Sequence, residues 1–231
     1  MNAVATTLKS QQRFNVLRAY RARGKHNSDM WLGYSAKMND DFLFPSAIQY
    51  LHWLTVLELN PAVRSFIIEP EIVISYDDNE TRGTRLDAIV HLSNGSVEWH
   101  EVKAGTSSIH SERSQHLAQA AASSSAGVTY KRYTNDDLTP LVALGVRIQK
   151  ALCYAEVVRF RSETEASIAL YSKIQTYRQG TIGDLCEELP LFDAPVLYGV
   201  LVRIAAKGAV RLDLSKTGIS RSTVWFAEDM T

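Results

Sequence analysis

Cysteine is nearly missing from this sequence: 231 residues carry two, Cys153 and Cys186. They show no metal-ligand spacing, so neither a disulfide framework nor a zinc cage is expected, and a reducing compartment is. Long apolar runs are missing too. The longest, Val196 to Ala206, is broken by Arg203 and falls short of the roughly 18 residues that suggest a membrane span. The first residues hold no apolar signal segment, so export is not expected. There is no excess of charge of either sign: Lys plus Arg and Asp plus Glu each number 25. Binding of nucleic acid by bulk positive charge is thereby excluded, and any such contact must come from local patches. No G-x-G-x-x-G and no P-loop appears, so nucleotide hydrolysis would belong to a partner. No internal repeat or low-complexity tract is visible. What remains is ordinary for a folded protein: 45% hydrophobic and 22% charged residues. The chain is long enough to bury a core without staples, as one large domain or two small ones.

Charge is uneven locally. Residues 1–28 carry Lys9, Arg13, Arg18, Arg21, Arg23 and Lys25 and no acid. Such an arm can grip a phosphate backbone; the plainer alternative is a solvated terminus. Residues 1–44 are therefore read as a basic arm of irregular structure, with Arg18, Arg21, Arg23 and Lys25 as DNA-binding candidates. From Pro45 to Leu59, Ile48, Leu51, Leu54, Val56 and Leu57 fall at near-helical spacing, and Asn60-Pro61 stops the helix. Short β-rich runs follow at Val63–Ile68, Glu71–Tyr76, Arg85–Leu92 and Val97–Lys103, separated by the turn residues Asp77-Asp78-Asn79 and Ser93-Asn94-Gly95. Ser111–Ala122 reads as an Ala-rich helix, Val128–Tyr133 as a strand and Asp137–Tyr154 as a helix. The polar stretch 156–164 is a predicted linker. Beyond it come three helical segments, Glu165–Arg178, Thr181–Leu189 and Ala194–Lys207, then two short strands, Ala209–Leu214 and Ser222–Phe226. That is the order of a winged helix.

The chemistry concentrates in Arg85–Val90 and Glu98–Lys103. Strand periodicity puts Glu101 and Lys103 on one face and Val102 on the other. Whether Asp87 joins them depends on the hairpin. A two-residue Asn94-Gly95 turn pairs Asp87 with Val102, on the wrong face. A three-residue Ser93-Asn94-Gly95 loop, with Gly95 left-handed in a bulge, pairs Leu92 with Ser96 and sets Asp87 opposite Glu101. Like charges placed so are destabilising unless something positive sits between them. Two hard carboxylates on adjacent strands make a reasonable Mg²⁺ site, with Mn²⁺ able to substitute. This is the logic of metal-assisted phosphodiester hydrolysis, in which Lys103 would orient the attacking water or stabilise its charge. The plainer alternative is a charged, solvent-facing strand. The order helix, β-meander with D…E-x-K, helix, strand is the core of the PD-(D/E)xK nuclease fold. The expected fold class is thus α/β (α+β): a restriction-endonuclease-like mixed sheet flanked by helices over 45–155, and a winged-helix domain over 165–231.

Ser46–Pro70 (SAIQYLHWLTVLELNPAVRSFIIEP) resembles the first helix and strand of TnsA-type endonuclease subunits of heteromeric transposases. Arg85–Val90 and Glu101–Lys103 resemble that family's second and third motifs, Tyr133-Thr134-Asn135-Asp136 resembles its strand ending in Thr-Asp, and 165–226 is similar to its winged-helix domain. The resemblance implies that Asp87 is the bridging metal ligand, that Glu101 stands where the family has Glu or Gln, and that Lys103 is the catalytic lysine. The family's helix acid falls on Gln49, a departure. Either Gln49 coordinates through its carbonyl or a water, or Glu58 substitutes from the same helix, or cleavage is weakened. Glu58 lies nine residues on, roughly 13 Å by helix rise, and its plainer role is a solvated helix-end charge.

The resemblance further implies a Mg²⁺-dependent endonuclease that cleaves the non-transferred strand of double-stranded DNA at transposon ends. It would act beside a DDE transposase and an AAA+ regulator, in a bacterial cytoplasm at the nucleoid. A stand-alone restriction or defence nuclease and a catalytically weakened DNA-binding scaffold are the alternatives. Arg203 and Lys207, at i and i+4, together with Arg211, fit a recognition helix and wing on duplex DNA, against a protein-docking winged helix whose basic residues are merely solvated. His91, His100, His110 and His116 lack zinc spacing and read as surface or supporting residues. Trp99 shares a strand face with Glu101. Gln115 and Gln119, at i and i+4, suit either a phosphate contact or a solvent-facing polar stripe.

Overall fold

Trp31, Tyr34, Phe42 and Phe44 fall within fourteen residues of chain, too many large aromatics to leave in water. They form a hairpin of β1 (Trp31–Ser35) and β2 (Asp40–Phe44). Its turn uses Asn39 in the left-handed region, where the Tyr34 hydroxyl donates to the Asn39 side chain at 2.9 Å. The structure, a computed structural model, describes residues 29–71, 73–75, 83–103 and 110–228. Arg18, Arg21, Arg23 and Lys25 lie outside the described residues. The rest of the expected arm is corrected: 29–44 is not irregular, because the hairpin's aromatics dock on the next helix, Trp31 stacking on Tyr50 and Phe44 on Trp53.

That helix, α1 (Ala47–His52), starts at Ser46, whose hydroxyl accepts the Gln49 N–H. It widens into a π-helical segment, Trp53–Glu58, that turns Trp53, Leu54, Leu57 and Glu58 inward. Glu58 is fully buried, which corrects its reading as a solvated charge. It accepts from the Ser35 hydroxyl (2.7 Å), the Lys37 N–H (3.0 Å) and the Trp53 indole (3.0 Å), and burial pushes its carboxyl up. These bonds commit it to the hairpin.

The central sheet has the order β3 (Val63–Ile68), β6 (Ala88–Leu92), β7 (Val97–Lys103), β8 (Thr129–Thr134). Its first two pairings are antiparallel and the last is parallel. Between β3 and β6, a two-stranded ladder forms from β4 (Val73–Ser75) and β5 (Gly83–Arg85). The parallel β7–β8 pair needs a crossover, supplied by α2 (His110–Ser125). His100 turns from β7 toward α1, where it meets His52, whereas Trp99 and Glu101 turn toward α2. This is the mixed, helix-flanked sheet of an α+β protein.

After β8, the short α3 (Asn135–Leu138) and a 3₁₀ turn lead into α4 (Val142–Val157). Next come α5 (Thr164–Tyr177), β9 (Gln179–Thr181), α6 (Ile182–Glu188), α7 (Ala194–Ala206), β10 (Val210–Leu212) and β11 (Val224–Ala227). The last three strands pair antiparallel in the order β10-β11-β9. The three helices and the late strand pair arise where the sequence puts them. The expected linker at 156–164 is no loose tether: Val158 is buried, and Arg159 grips Asp41 with two 2.7 Å bonds.

Val202, Ala206 and Leu214 share one core with Tyr34, Phe44 and Trp53. Helices α4 and α7 approach so closely that a Cβ on Gly199 would lie 2.5 Å from the Tyr154 carbonyl oxygen. The Lys37 ammonium bridges the two halves, donating to the carbonyls of Asn60 (3.1 Å), Val63 (2.6 Å) and Ala206 (2.7 Å). Among the described residues no helix is long and apolar enough to cross a membrane.

Candidate active site

The β6–β7 hairpin decides the site. Gly95 sits at φ +85°, and Leu92 N–H donates to the Ser96 carbonyl at 2.9 Å, so the loop is the three-residue one. Ala88 then pairs with His100, and Asp87 N–H donates to the His100 carbonyl at 3.1 Å. Continuing that register by one residue sets Asp87 against Glu101. Here the ladder ends. The Asp87 side chain takes over from the strand: Oδ2 accepts the Val102 N–H at 2.6 Å, while Oδ1 accepts the Gln49 side-chain amide at 2.5 Å. The helix acid's expected position is therefore beside Asp87, and the amide there presents a donor. The other end of that amide, Gln49 Oε1, accepts the Ser46 hydroxyl at 3.0 Å.

Glu101 is 2% exposed. Its Oε1 is held by Lys103 Nζ at 2.6 Å and Gln115 Nε2 at 3.2 Å, its Oε2 by Gln119 Nε2 at 3.0 Å. Gln119 is itself fully buried and is oriented by the Tyr130 hydroxyl, which donates to its Oε1 at 2.8 Å. Gln115 and Gln119 also share Thr84 as an acceptor. The alternative of a solvent-facing glutamine stripe is corrected accordingly: the stripe faces the sheet and clamps Glu101. Besides their bonds to β7, the two carboxylates accept from different helices, Asp87 from Gln49 of α1 and Glu101 from Gln115 and Gln119 of α2, yet they feel each other. Burial first, and the Glu101 charge second, raise the Asp87 carboxyl to about 6.

Further residues line the crevice. Glu69, just after β3, sits in the left-handed region at φ 47°, donates its N–H to the Asp87 carbonyl, and borders the same crevice as Asp87, Gln49 and His52. Nothing in its spacing singled it out. His100 is not on the surface: it is buried, 3.1 Å from His52 and 2.9 Å from Glu98, which Lys131 also holds at 2.8 Å. His52 carried no signal either, since a lone histidine in an apolar helix has no partner until the fold supplies one. Trp99 packs with Ala118, Ala122 and Tyr130.

Glu101 and Lys103 are thus bonded to each other, and Asp87 feels the charge of both while it borders a separate crevice with Gln49, His52 and Glu69. The basic C-terminal candidates are elsewhere. Helix α7 is buried from Leu197 to Ala206 except at Arg203. Arg203 donates to the Val158 carbonyl at 3.4 Å and Lys207 to the Lys37 carbonyl at 2.9 Å. Arg211 pairs with Glu228 and covers Phe226. Both Arg203 and Lys207 are drawn onto backbone carbonyls at the junction of the two halves, and they border one crevice there with Arg161.

Among the described residues no three His, Cys, Asp or Glu side chains converge to cage a metal ion. The donor set suits a hard cation all the same. Two carboxylates offer oxygen alone, each oxygen has lone-pair capacity beyond its present bonds, and a buried like-charged pair is relieved by a positive ion. Compared with known proteins, the chain matches no family model and no curated protein.

Proposed function

We propose that this protein is a divalent-metal-dependent DNA endonuclease whose active site is Asp87, Glu101 and Lys103, with Gln49 beside them. One observation carries the reading: Asp87 and Glu101 are set against each other across a hairpin, with Lys103 bonded to Glu101 and the Asp87 carboxyl raised by burial and by Glu101. Buried charges without full neutralisation are costly and occur where chemistry needs them. Asp87 and Glu101 would hold Mg²⁺ or Mn²⁺. When bound, such an ion neutralises charge at the scissile phosphate and lowers the pKa of water. Lys103 supplies a fixed positive charge at the same point, anchored by its 2.6 Å bond to Glu101, and so stabilises an anionic nucleophile or the developing phosphorane charge. Gln115 and Gln119 keep Glu101 from swinging away.

The resemblance to TnsA-type subunits, together with the helix-flanked mixed sheet and a C-terminal unit of winged-helix order, supports a more specific role. The enzyme would cut the non-transferred strand at transposon ends, beside a DDE transposase and an AAA+ regulator, at the nucleoid. Gln49 supports a second reading, a DNA-binding scaffold with weakened chemistry. Its amide N–H, where an acid would ligate, already satisfies Asp87. Plasmid cleavage by the full chain in millimolar Mg²⁺ or Mn²⁺ separates the two. Cutting that disappears in both Asp87→Asn and Lys103→Ala, with folding intact, supports the nuclease; cutting undiminished in either variant removes this site.

A further inference from the structure

Strand β8 is the edge of the central sheet and runs parallel to β7, with Arg132 in register opposite Glu101. Neighbours across a strand pair point to the same face, so Arg132 lies on the side of Glu101 and Lys103, and it lines one crevice with them and with Gln115, Gln119 and Tyr130. Its neighbour Lys131 points the other way, onto Glu98.

An arginine beside a buried glutamate would ordinarily be its counterion. Here that role is filled. The Glu101 oxygens accept from Lys103, Gln115 and Gln119, and the Arg132 guanidinium makes no hydrogen bond or ion pair among the described residues. Other guanidiniums are committed: Arg159 to Asp41, Arg211 to Glu228, Arg221 to Glu187. Arg132 is exposed, on a sheet edge that no described strand covers, next to the candidate site. The charge balance points outward too. Asp87 and Glu101 bring two negative charges to the site, and Lys103 offsets one. A phosphodiester is an anion, and approach to this site is favoured by a further cation on its open side. A guanidinium suits that task, because its planar fork matches two phosphate oxygens.

We propose that Arg132 anchors a backbone phosphate of the nucleic-acid strand, so that the strand crosses the open edge of β8 on its way to Glu101 and Lys103. This rests on the nuclease reading for its ligand, but its test does not depend on cleavage. Binding of a short labelled DNA duplex to the full chain is followed by fluorescence anisotropy without divalent metal, across salt from about 50 to 200 mM. Arg132→Gln is expected to weaken binding about three- to tenfold and to lower the slope of log affinity against log salt by about one. Arg132→Lys is expected to keep the slope. In cleavage with Mg²⁺, Arg132→Gln raises KM and leaves kcat. Thermal melting shows that the exposed-site variants fold. Equal affinity and slope for wild type and Arg132→Gln overturns the anchor, as does a wild type that does not bind duplex at all. If Arg132→Gln weakens binding but the wild type never cuts, the anchor stands and the hydrolase falls.

Discussion

The side-chain amide of Gln49 donates to Asp87 Oδ1 at 2.5 Å, joining the first helix to the strand that carries the central carboxylate. An acid at position 49 would make this contact only through a proton or a cation. Gln49→Glu is therefore expected to lower metal-free stability by about 1–3 kcal/mol, the cost of a lost donor at a buried carboxylate. It should also raise Asp87 above its present value of about 6. Mg²⁺ should then raise the melting temperature more in the variant than in the wild type, since a third carboxylate adds a ligand. Equal Mg²⁺ shifts in the two proteins would put position 49 out of the cation's reach.

Gln119 spends its whole side chain on the site, toward Glu101, Thr84 and the Arg85 carbonyl from its nitrogen and Tyr130 at its oxygen. Gln119→Leu has similar bulk but leaves a buried carboxylate and a phenol without these partners. A loss of about 1–3 kcal/mol in urea unfolding is expected, with a larger loss of cleavage than of duplex binding.

Lys37 carries the pH dependence of the junction. It is 3% exposed, and burial first, with the Lys207 charge adding to it, lowers its ammonium to about 8 against the Glu58 charge, from an ordinary 10.5. Between those values the unfolded chain binds more protons than the folded one, so this group makes stability rise with pH from about 8 to about 10.5. The rise is at most about 3 kcal/mol. Lys37→Met should abolish that rise, seen as a changing difference between wild-type and variant unfolding free energies over the window. Below it, the variant should be about 1–3 kcal/mol less stable, because the carbonyls of Asn60, Val63 and Ala206 lose their donor.

Gly199 lets α4 and α7 touch. A methyl group there meets the Tyr154 carbonyl at 2.5 Å and Val158 Cγ2 at 2.8 Å. Gly199→Ala is expected to cost about 1–3 kcal/mol by overpacking, read as a lower melting temperature, even though alanine is the better helix former.

Several features were legible in the residues alone. Ser93-Asn94-Gly95 was legible as a turn, and strand alternation put Glu101 and Lys103 on one face, but whether Asp87 joins them waited on the fold, where the three-residue loop is the one that forms. The three helices and the late strand pair after residue 164 were legible too, because amphipathic spacing and the capping residue Thr181 are local signals; the three-residue strand β9 between the first two helices was not. The N-terminal boundary was not. A run of basic residues dominated the reading of 1–44, while the aromatics of 31–44 needed Tyr50 and Trp53 to bury against. Glu58 was misjudged for a related reason: a buried polar group is stable only with its partners, and Ser35 and Lys37 are distant in sequence.

Local pattern by itself thus determined the candidate residues and narrowed the hairpin to two registers, since the faces of a strand alternate every two residues. Tertiary structure decided what surrounds that chemistry. Gln115 and Gln119 became a clamp, Gln49 a donor to Asp87, and Arg203 and Lys207 donors to backbone carbonyls between the two halves. The physical reason is that a side chain's role depends on which groups compete for its hydrogen bonds, and here most of those competitors come from other elements of the fold.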